Sequence, residues 1–175
     1  MILRTLIVDD FARLPEIDRS ESATGLYRMD DGTLAFDAKP VEIAPWTTDD
    51  GPRSASALAA FCREHLDAGG DAFVVERDTQ LSGIAVAGYA IAPDTAQLAV
   101  LYVSRHARRI GVARALIARC YEAARARGAR DMYVSATPTD SAVGFYLSEG
   151  FAPTKPLPHL LALEPDDIHM SRALS

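Results

Sequence analysis

Three apolar runs, DAFVVER (71–77), SGIAVAGYAI (82–91) and AQLAVLYVS (96–104), follow one another with only short polar turns between them. Turns that short join antiparallel neighbours, because a parallel pair needs a crossover of a dozen or more residues. An antiparallel meander is therefore predicted at the centre of the fold. The pattern then changes period. In GVARALIARCYEAARARG, residues Ala113, Leu116, Ile117, Cys120, Tyr121 and Ala124 recur at helical spacing and form one apolar stripe. Gly128 ends that helix. DMYVSAT (131–137) reads as a further strand, Thr139 to Ser148 as a short helix closed by Gly150, and DIHMSRAL (167–174) as a last strand. Upstream, residues 2–8 read as a first strand, with Asp9 or Asp10 capping a helix that runs to about Ser20. Residues 24–52 are rich in Gly, Pro and Asp and read as loop with a short hairpin. Ser54 to Leu66 reads as a helix ending at Gly69-Gly70. Strands and helices alternate irregularly, which predicts a mixed α/β fold.

Bulk properties narrow the class. At 175 residues, with 49% hydrophobic and 24% charged residues, the chain suits one folded domain, residues 1–175. No apolar run approaches the roughly 18 residues of a membrane span. The N-terminal stretch MILRTLIVDDF lacks the pattern of a signal peptide. The two cysteines, Cys62 and Cys120, show neither metal-ligand spacing nor a disulfide framework. Together these predict a cytoplasmic protein without a metal, bound neither to membrane nor to nucleic acid. The net charge of −6 is unevenly spread: the segment from Arg105 to Arg130 holds eight arginines and one acid. An acidic body with one basic segment suits either a solvated helix face or a site for a small polyanion.

TLIVDD (5–10) resembles the start of a response-regulator receiver, where an acid pair binds Mg²⁺. The rest of the chain disagrees. A receiver repeats strand–helix units, whereas a meander occupies the middle here. It also needs a late lysine, and the only lysines are Lys39 and Lys155. TLIVDD is read instead as a strand followed by a helix cap.

The chemistry concentrates between residues 98 and 151. After the strand ending LYV, the run Arg108, Arg109, Ile110, Gly111, Val112, Ala113, Arg114 opens the amphipathic helix. A helix start offers unpaired N–H groups and the positive end of a dipole, Gly111 permits close backbone approach, and arginines add charge-assisted contacts. That combination suits a pyrophosphate. Arg-x-x-Gly-x-Ala (Arg108, Gly111, Ala113), followed at the right separation by Ala-x-x-Phe-Tyr-x-x-x-Gly-Phe (Ala142, Phe145, Tyr146, Gly150, Phe151), resembles the GNAT acetyltransferase superfamily.

The resemblance implies a central, mostly antiparallel sheet splayed between its fourth and fifth strands, flanked by helices, with acetyl-CoA in the gap as co-substrate. By position, the backbone of Leu101, Tyr102 and Val103 would pair with the acetyl-pantetheine arm. Backbone N–H groups from Arg108 to Arg114 would hold the pyrophosphate. Tyr146 would protonate the departing thiolate, a role that competes with simple packing beside Phe145. The sequence departs from the family at three points. Thr139 stands where many members have Asn, so Thr139 or Ser141 would serve the pantetheine arm with a hydroxyl. Arg105 replaces a usual Pro. The fourth strand carries no acid to act as base, leaving Glu76, Asp94 or a water relay; His106, in the loop expected to face the cofactor phosphates, and His169, an alternative base in the last strand, are not counted as catalytic, because a lone His is more often structural. The acceptor would be an amine, a small molecule or a protein amine, with specificity in the loops Ser20–Asp50, which hold the only Trp (Trp46), and Thr154–Asp166. The alternative is a non-catalytic acyl-CoA-binding regulatory module on the same fold. A homodimer remains open.

Overall fold

The computed structural model describes residues 1–174, apart from the side chain of Ala90. Its strands are β1 (Ile2–Thr5), β2 (Glu21–Ala23), β3 (Leu26–Asp30), β4 (Thr33–Asp37), β5 (Val41–Ile43), β6 (Asp71–Arg77), β7 (Gln80–Ala92), β8 (Thr95–Val103), β9 (Asp131–Ala136), β10 (Ala152–Pro153) and β11 (Ile168–Ala173). Its α-helices are α1 (Ala55–Asp67), α2 (Val112–Ala126), α3 (Asp140–Ser148) and α4 (Pro158–Leu163). Seven strands form one mixed sheet in the order β1-β6-β7-β8-β9-β11-β10. β6, β7 and β8 are the expected antiparallel meander. Only β8 and β9 run parallel, and α2 supplies the crossover between them.

Two apolar layers cover the two faces of this sheet. Leu116, Ile117 and Cys120 of the α2 stripe pack with Phe73, Leu98, Met132 and Tyr146. On the other face, Leu58 and Cys62 of α1 join Leu14, Val74, Ile84 and Val100. Each fully buried Leu or Ile stabilises the fold by about 1.5–3 kcal/mol, which fixes both helices against the sheet. Local chemistry sets the helix ends. The Ser54 hydroxyl accepts the Ala57 N–H at 3.1 Å at the start of α1, and Gly128 and Gly150 take positive φ just after α2 and α3.

The N-terminal segment corrects two expectations. β1 ends at Thr5, short of residue 8, and a 3-10 helix, Val8–Glu16, replaces the helix expected to reach Ser20. Pro15 lies inside that helix and limits its length. Asp10 is the capping residue: its Oδ2 accepts the Ile7 N–H at 2.9 Å. Its two oxygens also take a paired grip from Arg4 at 2.6 and 2.8 Å, which holds this buried carboxyl below its usual range. TLIVDD thus ends in a structural ion pair.

Residues 21–43 hold more structure than a loop with one hairpin. β3 and β4 form that hairpin around Asp31-Gly32, both at positive φ, and β2 pairs with β5. The sequence reading also missed α4, which begins with Pro158 at its first position, and the two-residue β10. No helix among the described residues is long and apolar enough to cross a membrane.

Candidate active site

β8 and β9 pair only where Thr95, Ala96 and Gln97 meet Asp131, Met132 and Tyr133. The strands part just beyond. On β8, Leu98 pairs with Ala87 and Val100 with Val86, so Ala99 is an extra residue. A bulge of this kind bends the strand that carries it. From there β8 keeps its pairing to β7, while its other edge has no strand partner. A cleft of about 720 Å³ opens along that edge. Leu101, Tyr102 and Val103 line it, so the exposed backbone edge can accept an extended arm as an added strand.

One end of the cleft is the start of α2. Arg109 and Gly111 take φ of 61° and 90° in the turn that leads into the helix. A Cβ on Gly111 would meet nothing within 4 Å, so glycine is needed there for its conformation and not for space. The first intrahelical bond runs from the Ala115 N–H to the Gly111 carbonyl. The amides of Val112, Ala113 and Arg114 therefore precede the ladder at the positive end of the dipole. Arg108, Arg109, Gly111, Val112, Ala113 and Arg114 all line the cleft; Ile110 turns outward and is 51% exposed.

The arginines divide by partner. Arg108 donates to the carbonyls of Val103 and Arg19 and lies 3.5 Å from Glu21, so it ties the entry loop to β8. Arg114 pairs with Glu149 at 2.9 Å. Arg119, Arg127 and Arg130 pair with Glu122, Asp71 and Asp94. Arg109 has no carboxylate partner among the described residues. Much of the basic segment is thus neutralised, by acids from other elements and by its own Glu122, and Arg109 is the cation left at the helix start.

Tyr146 lies on the inner face of α3 and is 6% exposed. Its ring meets Phe145 and Phe151 edge-on, each at 5.4 Å. Its side chain lines the cleft, and its hydroxyl makes no hydrogen bond among the described residues. Burial pushes that hydroxyl well above the ordinary phenol range, so it keeps its proton at neutral pH. The ring is thus packed, while the hydroxyl has no hydrogen-bond partner among the described residues. Thr139 and Ser141 also line the cleft. The Thr139 hydroxyl accepts the Ala142 N–H at 3.3 Å as the α3 cap, and Ser141 donates to Glu21.

The acids and histidines weighed as bases lie elsewhere or are engaged. Glu76 is held by Arg4 at 3.1 Å and Arg13 at 3.5 Å near β1. Asp94 sits in the β7–β8 turn, 3.7 Å from Arg130. His106 Nδ1 lies 3.1 Å from the Ser104 hydroxyl, which also accepts the Asp18 N–H. His169 is buried with both ring nitrogens used: Nδ1 lies 2.5 Å from the Tyr133 hydroxyl and Nε2 lies 3.3 Å from the Glu164 carbonyl.

Two residues absent from the sequence reading stand near the cleft. Arg19 lines it, its guanidinium 4.8 Å from the Trp46 ring centre and 5.7 Å from that of Tyr102. Trp46 is fixed in turn by its indole N–H, which donates to the Ile17 carbonyl at 2.6 Å. Asp167, just before β11, lies in a second cavity of about 630 Å³. Desolvation first, then Glu164 and Asp166, push its carboxyl up to about 6. Neither residue falls in a motif or a periodic pattern, so no sequence signal marks it. Among the described residues, no three His, Cys, Asp or Glu are grouped as metal ligands would be.

Residues 49–158, more than half the chain, match the model of an acetyltransferase (GNAT) domain. The chain therefore belongs to the GNAT acetyltransferase family. It is an acetyl-CoA-dependent acetyltransferase, and its open β8 edge and uncapped α2 start fit that co-substrate. No curated protein matches it in sequence. Solved structures share the fold. Nourseothricin acetyltransferase is 22% identical at a TM-score of 0.76, covering 99% of this chain and 98% of its own. A protein provisionally named a streptothricin acetyltransferase, from Bacillus anthracis and solved with acetyl coenzyme A, is 16% identical at 0.70, covering 97% and 96%. A ribosomal-protein-alanine N-acetyltransferase from Brucella melitensis is 19% identical at 0.63, covering 99% of each chain.

Proposed function

We propose that the whole chain acts as one N-acetyltransferase unit, moving an acetyl group directly from acetyl-CoA to a primary amine. The observation that carries this reading is the parting of β8 and β9, with the start of α2 at one end of the cleft and the Tyr146 side chain on its wall. Acetyl-CoA supplies the acetyl group as a thioester. The amides of Val112 to Arg114 and the Arg109 guanidinium hold its phosphates, and the backbone of Leu101 to Val103 orients the acyl arm. Tyr146 gives its proton to the sulfur as the C–S bond breaks and the C–N bond forms. Its buried hydroxyl suits that task, being protonated and unbonded before the reaction.

Proteins of this fold include an enzyme named for a small-molecule antibiotic and one named for a protein amine. The acceptor is accordingly read as a primary amine of either kind. The test is thiol release from acetyl-CoA across a panel of small and peptide amines, with product masses recorded. A rise in mass of one acetyl group on an amine nitrogen is expected. Thiol release that ignores every amine offered would defeat the reading.

A further inference from the structure

The cleft accounts for a proton donor but leaves the acceptor side without a base. Of the acids that line or rim it, Glu21 is bonded by Ser141 and faces Arg108, Asp140 accepts from Thr24, and Glu149 pairs with Arg114. The fold offers one more carboxylate. β11 pairs with β9 so that Ile168 meets Ala136. Extending that register by one residue sets Asp167 beside Thr137, which lines the cleft just where β9 ends. Asp167 lines the 630 Å³ cavity, and the extended register sets it next to the end of the cleft. The β3–β4 hairpin lines that cavity with Arg28 and Met29, and the segment before β11 lines it with Pro153 and Leu161.

Asp167 is more than half buried, and its carboxylate has neither ion pair nor hydrogen bond among the described residues. After burial and other charged groups, the charge of Asp167 contributes to raising the hydroxyls of Tyr102 on β8 and Tyr146 on α3. The cations nearby leave it alone. Arg28 is turned to Asp30 at 2.8 Å, and the nitrogens of His169 are engaged; Lys155 lines the cavity without an ion pair. A partly buried, unpaired carboxylate is costly and is usually cancelled by a partner.

We propose that Asp167 is the catalytic carboxylate of the acceptor side: it receives the substrate's ammonium group in the cavity under the β3–β4 hairpin and takes one proton from it. This rests on the amine reading given above. The ammonium becomes a neutral amine as Asp167 becomes a carboxylic acid. The amine nitrogen then bonds to the acetyl carbon, the C–S bond breaks, and the Tyr146 proton goes to the thiolate. The second nitrogen proton returns to Tyr146 through solvent, and the Asp167 proton leaves to bulk water, so one proton is released overall. Burial first, and then the neighbouring acids Glu164 and Asp166, raise its proton affinity toward neutral pH, where a base works best, and those acids add attraction for a cation. The ligand class is therefore a cationic primary amine, and a second positive group would be favoured by the same acids.

The experiment uses the full chain with acetyl-CoA and three probes: cadaverine, L-lysine amide and n-pentylamine. Parent, Asp167→Asn and, as a distant exposed acid, Asp9→Asn are compared between pH 5 and 9. Expected for Asp167→Asn is a fall in kcat/KM of roughly 100-fold, loss of the rise in rate through pH 6, and an unchanged melting shift with acetyl-CoA. Asp9→Asn should match the parent, and cadaverine should outperform n-pentylamine. If the parent acetylates a probe and Asp167→Asn keeps its rate and pH profile, Asp167 is not the base. If acetyl-CoA raises the parent's melting temperature and no probe is acetylated, the amine reading falls and this assignment falls with it.

Discussion

The wall of the cleft made by β8, α2 and α3 and the acceptor side, made by residues 18–47 and by the neighbouring cavity that residues 153–169 line, rest on different kinds of contact. The first uses backbone: an open strand edge, a helix start with unladdered amides, and two left-handed residues that aim them. The second uses side chains that arrive from distant segments, such as Arg19 stacked against Trp46 and Tyr102, and Asp167 at the head of β11. Backbone groups are indifferent to what hangs on them, so one wall can hold the same co-substrate in many proteins. The other can change residue by residue and so select an acceptor.

The sharpest way to break this comparison is Tyr146→Phe, because Tyr146 belongs to the first wall and is proposed to act on both ligands. The substitution removes one oxygen that makes no hydrogen bond among the described residues and leaves the contacts with Phe145 and Phe151 in place. Stability and acetyl-CoA affinity should hold, while kcat falls by about 10²–10⁴-fold. A change confined to acceptor KM would move Tyr146 to the acceptor wall and a ground-state role. Turnover at the parent rate would return it to the core.

Gly111→Glu tests the first wall alone. The new side chain must tolerate φ of 90° and sets a carboxylate against the phosphates. The parent should gain about 2.7 kcal/mol from acetyl-CoA at a hundred times its Kd, read as a rise in Tm. The variant should gain almost nothing. An equal gain in both would mean that the start of α2 is not the phosphate site.

How far each wall can be read from sequence follows the same division. The first wall follows from period and position: the α2 stripe, the glycine at the helix start, and the spacing from Arg108 to Tyr146. The bulge at Ala99, which opens the cleft, lies inside an uninterrupted apolar run and leaves no mark there. The β3–β4 hairpin could have been read more firmly, since Asp31-Gly32 is the residue pair that such a turn demands. Pro158 likewise announces α4. Asp167 and Arg19 are another matter. Each is a single charged residue whose role depends on which distant strand or ring it meets, and one sequence does not encode that locally. The sequence left Glu76, Asp94 and a water relay open as the base for the same reason: the partners of the two acids are Arg4, Arg13 and Arg130, supplied by tertiary contact.

The two cysteines sharpen the comparison, since one lies behind each wall. Cys120 is buried under α2, and Cys62 under α1 in the layer that Trp46 and Tyr102 cover. Burial pushes both thiols up to about 12, so neither is a ready nucleophile at pH 8. Alkylation should therefore wait on opening of the surrounding layer. Acetyl-CoA, proposed to brace the first wall, should slow labelling of Cys120 severalfold more than that of Cys62, measured by peptide mass. Equal slowing would mean that the layers open together and that the walls are one cooperative unit.

The smallest expected effect belongs to the second wall and concerns what Asp167 costs. Its carboxyl is raised from 3.8 to about 6 in the folded chain. Between those values the folded state holds a proton that the unfolded chain has released. The stability linked to that proton is complete below pH 3.8 and is lost as pH rises through 6. Asp10 and Glu16, whose carboxyls are lowered by Arg4 and Arg13, act in the opposite sense, so the parent's own pH curve mixes these effects. The difference between parent and Asp167→Asn isolates one group. At pH 3 the two should melt together. Above pH 7 the variant should be more stable by on the order of 1 kcal/mol, after allowing for solvent screening of a partly exposed carboxyl. In a chain of this size that is a Tm higher by about 2–4 °C. A variant that is both more stable and less active would mean that the acceptor wall keeps a strained carboxylate for its chemistry. A variant destabilised at pH 7 would instead give Asp167 a structural partner in solution and remove the ground for calling it free.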